Sequence, residues 1–227
     1  MKIALIADLH ANAVAFNSVL DVIDSCDRVV CLGDVVGYYT QVNETIDLLR
    51  KYNPLCIMGN HDYFVLNGCP KELQDSVQFG IDYARRTITA QNRQWLASLP
   101  QVWGGEVEGI SCLFFHGSPW KPMEDYLYSN SQLLEGLDAF KYDLLAFGQT
   151  HRPLFRVDIK PYLINPGSIG QSREASLYGK ACMAVLDTET KKIQAIVRDY
   201  DMPHVINEAL SHGAGPWVQK FTPQAAI

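Results

Sequence analysis

Five apolar runs in this 227-residue chain stop abruptly on residues that can carry protons or hold metals. Residues 3–7 run into Asp8-Leu9-His10, and residues 29–32 into Gly33-Asp34. Residues 55–58 lead to Asn60-His61-Asp62, 111–115 to His116, and 144–147 to Gln149 and His151. A strand buried on both faces reads as a continuous apolar run. Parallel strands place their C-terminal ends along one edge of a sheet, where ligands bind. The pattern demands an α/β fold that gathers these polar groups at one edge. Asp34 stands at the centre of the set, read as a carboxylate shared between two metal ions.

The stretches between the runs supply the connections. Asn12 opens a helix with Val14, Val19, Leu20 and Ile23 at roughly helical spacing, and 42–52 forms another with Ile46, Leu49 and Tyr52 on one face. With strands at 2–7, 28–32 and 54–58, the order is β-α-β-α-β, which implies a parallel sheet with right-handed crossovers. Residues 63–99 read as mostly helical, with Thr89 as an N-cap. This insert follows the Asn60-His61-Asp62 loop directly, so it either walls the site or covers one sheet face.

Gly104-Gly105 marks a turn before a hairpin over 106–115. Ser129 or Asn130 caps a helix through Leu133, Leu134 and Leu137. Strands follow at 143–147, 154–159, 162–165, 181–187 and 192–200, the last two antiparallel around a turn at 188–191. An α/β first half and a β-rich second half are satisfied together by a four-layer α-β-β-α sandwich, two mixed sheets flanked by helices. With no internal repeat and no Pro- or Ser-rich linker, residues 1–212 are expected to form a single domain. Residues 213–227 are expected to be a poorly ordered C-terminal tail.

Composition narrows the setting. At 48% hydrophobic and 19% charged residues the chain is an ordinary globular one, neither disordered nor fibrous. Its net charge of −6 argues against nucleic acid as a partner, which wants a basic face. It is compatible with a small anionic substrate held by metal ions, and it leaves a homo-oligomer open. The six cysteines form no Cys-x-x-Cys pair, and Cys31, Cys56 and Cys112 sit inside apolar runs as small buried hydrophobes. The opening apolar run is broken by Asp8 and His10, too early for a secretory signal. No run approaches the ~20 apolar residues of a membrane span. A reducing, cytoplasmic location is expected.

Carboxylate oxygen combined with imidazole nitrogen suits Mn, Fe, Zn or Ni, whereas all-oxygen cages suit Ca or Mg. Four of the six histidines, His10, His61, His116 and His151, fall at strand ends. A lone histidine there is usually structural, but four in this arrangement point to a metal site.

The motifs Asp8-x-His10, Gly33-Asp34, Gly59-Asn60-His61-Asp62, His116-Gly117 and Gly148-Gln149-Thr150-His151 resemble the calcineurin-like metallophosphoesterases. They come in the family's order over residues 8–151. Asn165-Pro166-Gly167-Ser168 is similar to the small bacterial and archaeal branch. The family fold is the same sandwich of two sheets. The resemblance implies two divalent ions, Mn foremost, with Fe, Ni or Zn as alternatives. Asp8, His10, Asp34 and His151 would hold the first. Asp34, Asn60, His116 and Gln149 would hold the second, with Asp34 bridging. Such a pair brings a bridging water toward a pKa of about 7, and the resulting hydroxide attacks phosphorus in line. His61 would act as general acid toward the leaving oxygen.

Two positions depart from the family pattern. Gln149 stands where histidine is usual, and an amide oxygen is the weaker ligand, so the second ion is expected to bind loosely or to be replaced by water, with activity needing added metal. Gly37 stands where many members carry an aspartate that orients the catalytic histidine. Either Asp62 or a backbone carbonyl takes that role, or His61 is less tuned.

Arg173 is the candidate for a second phosphate contact, since a guanidinium fork matches phosphoryl oxygens, and Asn60 lies beside it in the expected substrate-binding set. Arg152 is a weaker candidate. Tyr38, Tyr39 and Trp120 are candidates for stacking on a base or for plain packing. His204 and His212 fall outside every motif. The resemblance implies a phosphoesterase acting on phosphodiesters or dinucleoside polyphosphates, hence a small phosphorylated, nucleotide-type substrate. The alternative is a weak or inactive binding protein on the same scaffold, favoured only by Gln149. A nuclease is disfavoured by the charge.

Overall fold

Alternation along the first strand sets the layers. In the computed structural model, which describes residues 1–70 and 73–222, strand β1 (Lys2–Ile6) turns Ile3 and Leu5 toward one core and Ala4 and Ile6 toward another. Successive strand side chains point to opposite faces, so burial on both sides requires an unbroken apolar run. Strands β2 (Arg28–Cys31) and β3 (Leu55–Cys56) continue the sheet in parallel.

Helices α1 (Ala13–Asn17), α2 (Leu20–Ile23) and α3 (Val42–Arg50) make the crossovers. Asn12 caps α1 as expected, accepting the Ala15 N–H at 2.9 Å. The single helix expected after Asn12 is instead two. Ser18 donates its hydroxyl to the Ala15 carbonyl at 2.7 Å, a local bond that competes with helix continuation.

Helices α4 (Asn60–Asn67), α5 (Asp75–Thr87) and α6 (Ala90–Ala97) form the expected helical insert, and Thr89 caps α6. Val65, Ile81, Ala84 and Leu96 from these helices join the core on the outer face of the first sheet. The second sheet comprises β4 (Val102–Val107), β5 (Ile110–Phe115), β6 (Leu144–Ala146), β7 (Leu154–Arg156) and β8 (Tyr162–Asn165). Its order is β4-β5-β6-β8-β7, and α7 (Leu133–Leu137) covers its outer face. Strands β9 (Lys180–Asp187) and β10 (Ile193–Asp199) return to the first sheet, giving β10-β9-β1-β2-β3.

Both sheets are mixed, and they face each other across a core that includes Leu5, Leu32, Phe114, Ala146 and Ile164. The architecture is the expected α-β-β-α sandwich. Its two sets of parallel strands, β1-β2-β3 and β5-β6-β8, lead into the loops that carry the motifs.

Three local expectations are corrected. Gly104 and Gly105 lie inside β4, not in a turn. Side chains there would meet Tyr142 Oη and the Trp103 ring, each 2.8 Å from an added Cβ. The hairpin turn is Glu108-Gly109, with φ of 50° and 78°, the signature of a two-residue primed turn. Helix α7 begins after Gln132 without a side-chain cap, so neither Ser129 nor Asn130 serves there.

Finally, helix α8 (Met202–Ser211) follows β10, capped by Asp201. Ala214 and Val218 beyond it are buried with Tyr38, Tyr39, Val205 and Ile206. Within the stretch expected as a tail, Ala214, Trp217 and Val218 pack on this cluster, while residues 213, 216, 219 and 220 are exposed. Residues 223–227 lie outside the described residues.

All six cysteines are free thiols. No described helix is long and apolar enough to cross a membrane.

Candidate metal centre

The loops leaving the parallel strands are stitched together by backbone bonds. Asp8 N–H donates to the Gly33 carbonyl at 3.0 Å, His10 N–H to Asp34 at 3.0 Å, and Gly170 N–H to Asp8 at 2.9 Å. Asp8, His10, Asp34, Tyr38, Gln149 and His151 all take positive φ, between 51° and 70°. Each non-glycine residue there costs about 1 kcal/mol or more. This concentration at one sheet edge marks a region held by its surroundings rather than by local preference. Gly59 allows a close approach to the central carboxylate, since a Cβ on it would stand 2.1 Å from Asp34 Oδ1.

Asp8, His10, Asp34 and His151 offer ligand atoms all within 4.8 Å of one another, and all four residues are buried. His116 Nε2 lies 3.3 Å from Asp34 Oδ2 and 3.7 Å from Asp8 Oδ1. The imidazoles are aimed from behind. Nδ1 of His10 faces the Val36 carbonyl at 3.2 Å, that of His116 the Leu32 carbonyl at 2.6 Å, and that of His151 the Gln171 carbonyl at 2.7 Å. A carbonyl only accepts, so each Nδ1 carries a proton and each Nε2 is turned inward, as a lone pair wherever the ring is neutral.

Two of those lone pairs, on His10 and His151, face each other at 2.9 Å. Neutral imidazoles repel in that arrangement, and a cation between them removes the repulsion. Asp8 Oδ2, His116 Nε2 and Gln149 Oε1 are buried without hydrogen-bond partners, although buried polar atoms are nearly always satisfied. The donor set therefore fits divalent metal.

Electrostatics agrees. Burial, followed by the charge of neighbouring groups, holds His10 and His151 well below the ordinary imidazole range. Burial raises Asp8 to about 7. At His116 burial opposes the charge, but Asp34 and Asp8 outweigh it and lift the ring to about 10. A proton there does in part what a cation would do. Burial also opposes charge on Asp34, yet His116 and His61 draw it below the usual carboxylate range.

Asn60 and His61 open α4, and the His61 N–H donates to Asp34 Oδ1 at 2.9 Å. The positive end of that helix supports the carboxylate. The His61 ring packs at 4.8 Å from the Tyr38 ring and 4.7 Å from His10, with Nε2 4.0 Å from Asp34 Oδ2. Arg173 is half-buried above this group and donates to Tyr38 Oη at 2.5 Å. Arg152 is exposed, 5.9 Å from the centre of the Tyr128 ring.

The profile of the calcineurin-like phosphoesterase superfamily domain matches residues 1–191. The chain belongs to that superfamily. An uncharacterised protein of Methanocaldococcus jannaschii is 32% identical over 238 aligned positions, covering 95% of each chain. Among solved structures, a metallophosphoesterase from Sphaerobacter thermophilus is 25% identical, with a TM-score of 0.84 over 97% of each chain. A hypothetical protein from Pyrococcus horikoshii, 21% identical, shares the fold with a TM-score of 0.83 over 99% of each chain.

In this superfamily member the structure brings together Asp8, His10, Asp34, Asn60, His61, His116, Gln149, His151 and Arg173 at one edge. It corrects the expected support of His61. Asp62 accepts from the Val36 N–H at 3.1 Å and the Gly59 N–H at 3.0 Å, and so is spent on the backbone. No carbonyl replaces it, and His61 Nδ1 is buried without a partner. The ring is held by packing instead.

Tyr38 and Tyr39 do not offer faces to a base. Both are buried, Tyr39 in the core with α8. Trp120 is 49% exposed and packs on Phe140 at 5.7 Å. His204 and His212 are exposed and remote from the cluster. The part played by Tyr38, and by the carbonyls of Leu32, Val36 and Gln171, had no signal in residue type or spacing.

Proposed function

We propose that this superfamily member is a dinuclear metal-dependent phosphoesterase that cleaves phosphodiesters or dinucleoside polyphosphates. The observation that carries the reading is the set of inward, unpartnered polar atoms of Asp8, His116 and Gln149, beside the facing nitrogens of His10 and His151. Asp8, His10, Asp34 and His151 would hold one divalent ion. Asp34, Asn60, His116 and Gln149 would hold the other, with Asp34 common to both. Mn suits the mixed oxygen and nitrogen donors, as do Fe, Ni and Zn. When bound, such ions activate water and offset charge on the phosphoryl oxygens.

Hydrolysis adds water across a P–O bond. The water oxygen bonds to phosphorus, and the leaving oxygen departs and takes a proton. His61 is the proposed donor of that proton. Burial lowers its imidazole to about 4, so the ring is neutral near pH 7, and an anionic substrate beside it would raise its proton affinity. Arg173 would fix phosphoryl oxygens through its free N–H groups, held in place by Tyr38. Asn60, half-buried at the head of α4, would face both metal and substrate.

The test is hydrolysis of bis-p-nitrophenyl phosphate by chelated protein, with Mn, Ni, Fe or Mg added back. Metal should restore turnover, and His61→Gln should keep metal yet lose at least ~100-fold in rate. A fully active His61→Gln would sink the assigned role. A protein that binds metal but hydrolyses no ester under any condition would instead be the binding module on this scaffold.

A further inference from the structure

Beside the centre lies a cleft of about 780 Å³ that no step above uses beyond its inner end. Asn60, His61, Tyr38 and Arg173 form that end. Its outer walls come from the start of α5, the loop at Tyr126, and the segment after α8 that carries Trp217, Lys220 and Phe221.

The cleft is positive although the chain is acidic. Arg152, Arg173 and Lys220 line it, against Asp75 as the one lining carboxylate among the described residues. Described cations elsewhere that pair with carboxylates are Arg28, Arg50, Lys121, Arg156, Lys160, Lys180 and Arg198. The three in the cleft are not among them. The N-terminus of α5 adds to the field. Its cap residue, Gln74, makes no side-chain bond to the first turn, so N–H groups there are available to an anion.

The same walls are aromatic. Tyr126 is 42% exposed. The Trp217 and Phe221 rings are half-buried, braced by Phe79 at 5.7 Å and Tyr178 at 5.5 Å. Braced rings around a positive cleft suit a planar ring joined to an anion.

We infer that this cleft takes the leaving group, and that the leaving group carries a further phosphoryl anion and a planar aromatic ring. The inference rests on the phosphoesterase reading, because the side is fixed by His61. His61 is the proposed proton donor to the leaving oxygen, and it lines this cleft. Of the seven candidate metal ligands, Asn60 is the one that does so. A departing nucleoside diphosphate has the required chemistry. Its inner phosphoryl would meet Arg173, its outer one Lys220 and the start of α5, and its ring Trp217. A simple diester with an uncharged leaving group would leave Lys220 unused.

The test is binding, read apart from turnover. Protein supplied with Mn is titrated calorimetrically with ADP and with AMP, as wild type and as Lys220→Gln and Trp217→Leu. Occupation of the cleft requires ADP to bind at least about tenfold tighter than AMP, a difference of about 1.4 kcal/mol. Lys220→Gln, an exposed position, should collapse that ratio to below about threefold, and Trp217→Leu should weaken both ligands. Equal binding of ADP and AMP, or a ratio untouched by Lys220→Gln, overturns the inference. So does unchanged nucleotide affinity in Trp217→Leu. Hydrolysis of bis-p-nitrophenyl phosphate without ADP binding sinks this inference alone. ADP binding without hydrolysis of any ester sinks the phosphoesterase reading alone.

Discussion

A Cβ placed on Gly37 would stand 2.3 Å from Nδ1 of His61, so the two residues occupy one space. Gly37 also takes φ of +103°. The His61 ring lies where it does because residue 37 has no side chain. Packing against Tyr38 and His10 then holds a ring whose Nδ1 has no hydrogen-bond partner among the described residues.

Gly37→Ala tests that packing. The added methyl must push the ring, and the backbone strain of a non-glycine residue adds about 1–3 kcal/mol. The variant should keep its metal, lose at least about tenfold in turnover, a barrier of about 1.4 kcal/mol, and melt at lower temperature. Unchanged turnover would show that His61 has no fixed position to lose.

Tyr38 joins His61 to Arg173. Tyr38→Phe removes the hydroxyl that accepts from Arg173 and keeps the ring against His61. The KM should rise roughly ten- to a hundredfold, on the order of one lost hydrogen bond to a charged group, about 1.5–3 kcal/mol, with kcat nearly unchanged. Tyr38→Leu removes the ring as well, and kcat should then fall too. Steady-state kinetics on one diester separates the two effects.

Gln149 is buried with its Oε1 unpartnered, which suits a weak neutral ligand. Gln149→His supplies an imidazole to the second ion. That ion should bind at least about tenfold more tightly, following the preference of borderline metals for nitrogen. Equilibrium dialysis against Mn reads this directly. No gain would mean that position 149 does not face the second ion.

Strand ends and the gathering of Asp8, His10, Asp34 and His151 were readable because both obey strong rules. A two-sided buried strand must be apolar, so Asp34 or His116 after such a run is conspicuous. Boundaries set by tertiary fit were not readable. Gly104-Gly105 resembles a turn in any sequence, and only the rings of Trp103 and Tyr142 explain its place within a strand. The carbonyls that aim His10, His116 and His151 belong to the backbone, which carries no residue identity. Helix α8 did leave a trace, since Asp201 caps it and Met202, Val205, Ile206 and Ala209 follow helical spacing.

The segment after α8 places two buried side chains, Ala214 and Val218, on one apolar cluster. Val218 is fully buried against a cluster that includes Tyr38 and Tyr39. Val218→Ala should cost about 1–3 kcal/mol, in the range of small core truncations. Urea denaturation checks this, and a cost near zero would mean that the segment is detached in solution.

The most direct measurement is a metal titration of chelated protein that follows bound Mn and hydrolysis of bis-p-nitrophenyl phosphate together, with Asp34→Asn alongside. If Asp34 bridges two ions, activity rises with the second equivalent bound, and Asp34→Asn loses both metal and turnover. Full activity with one ion bound, or an Asp34→Asn variant that still binds two, would contradict the two-ion centre.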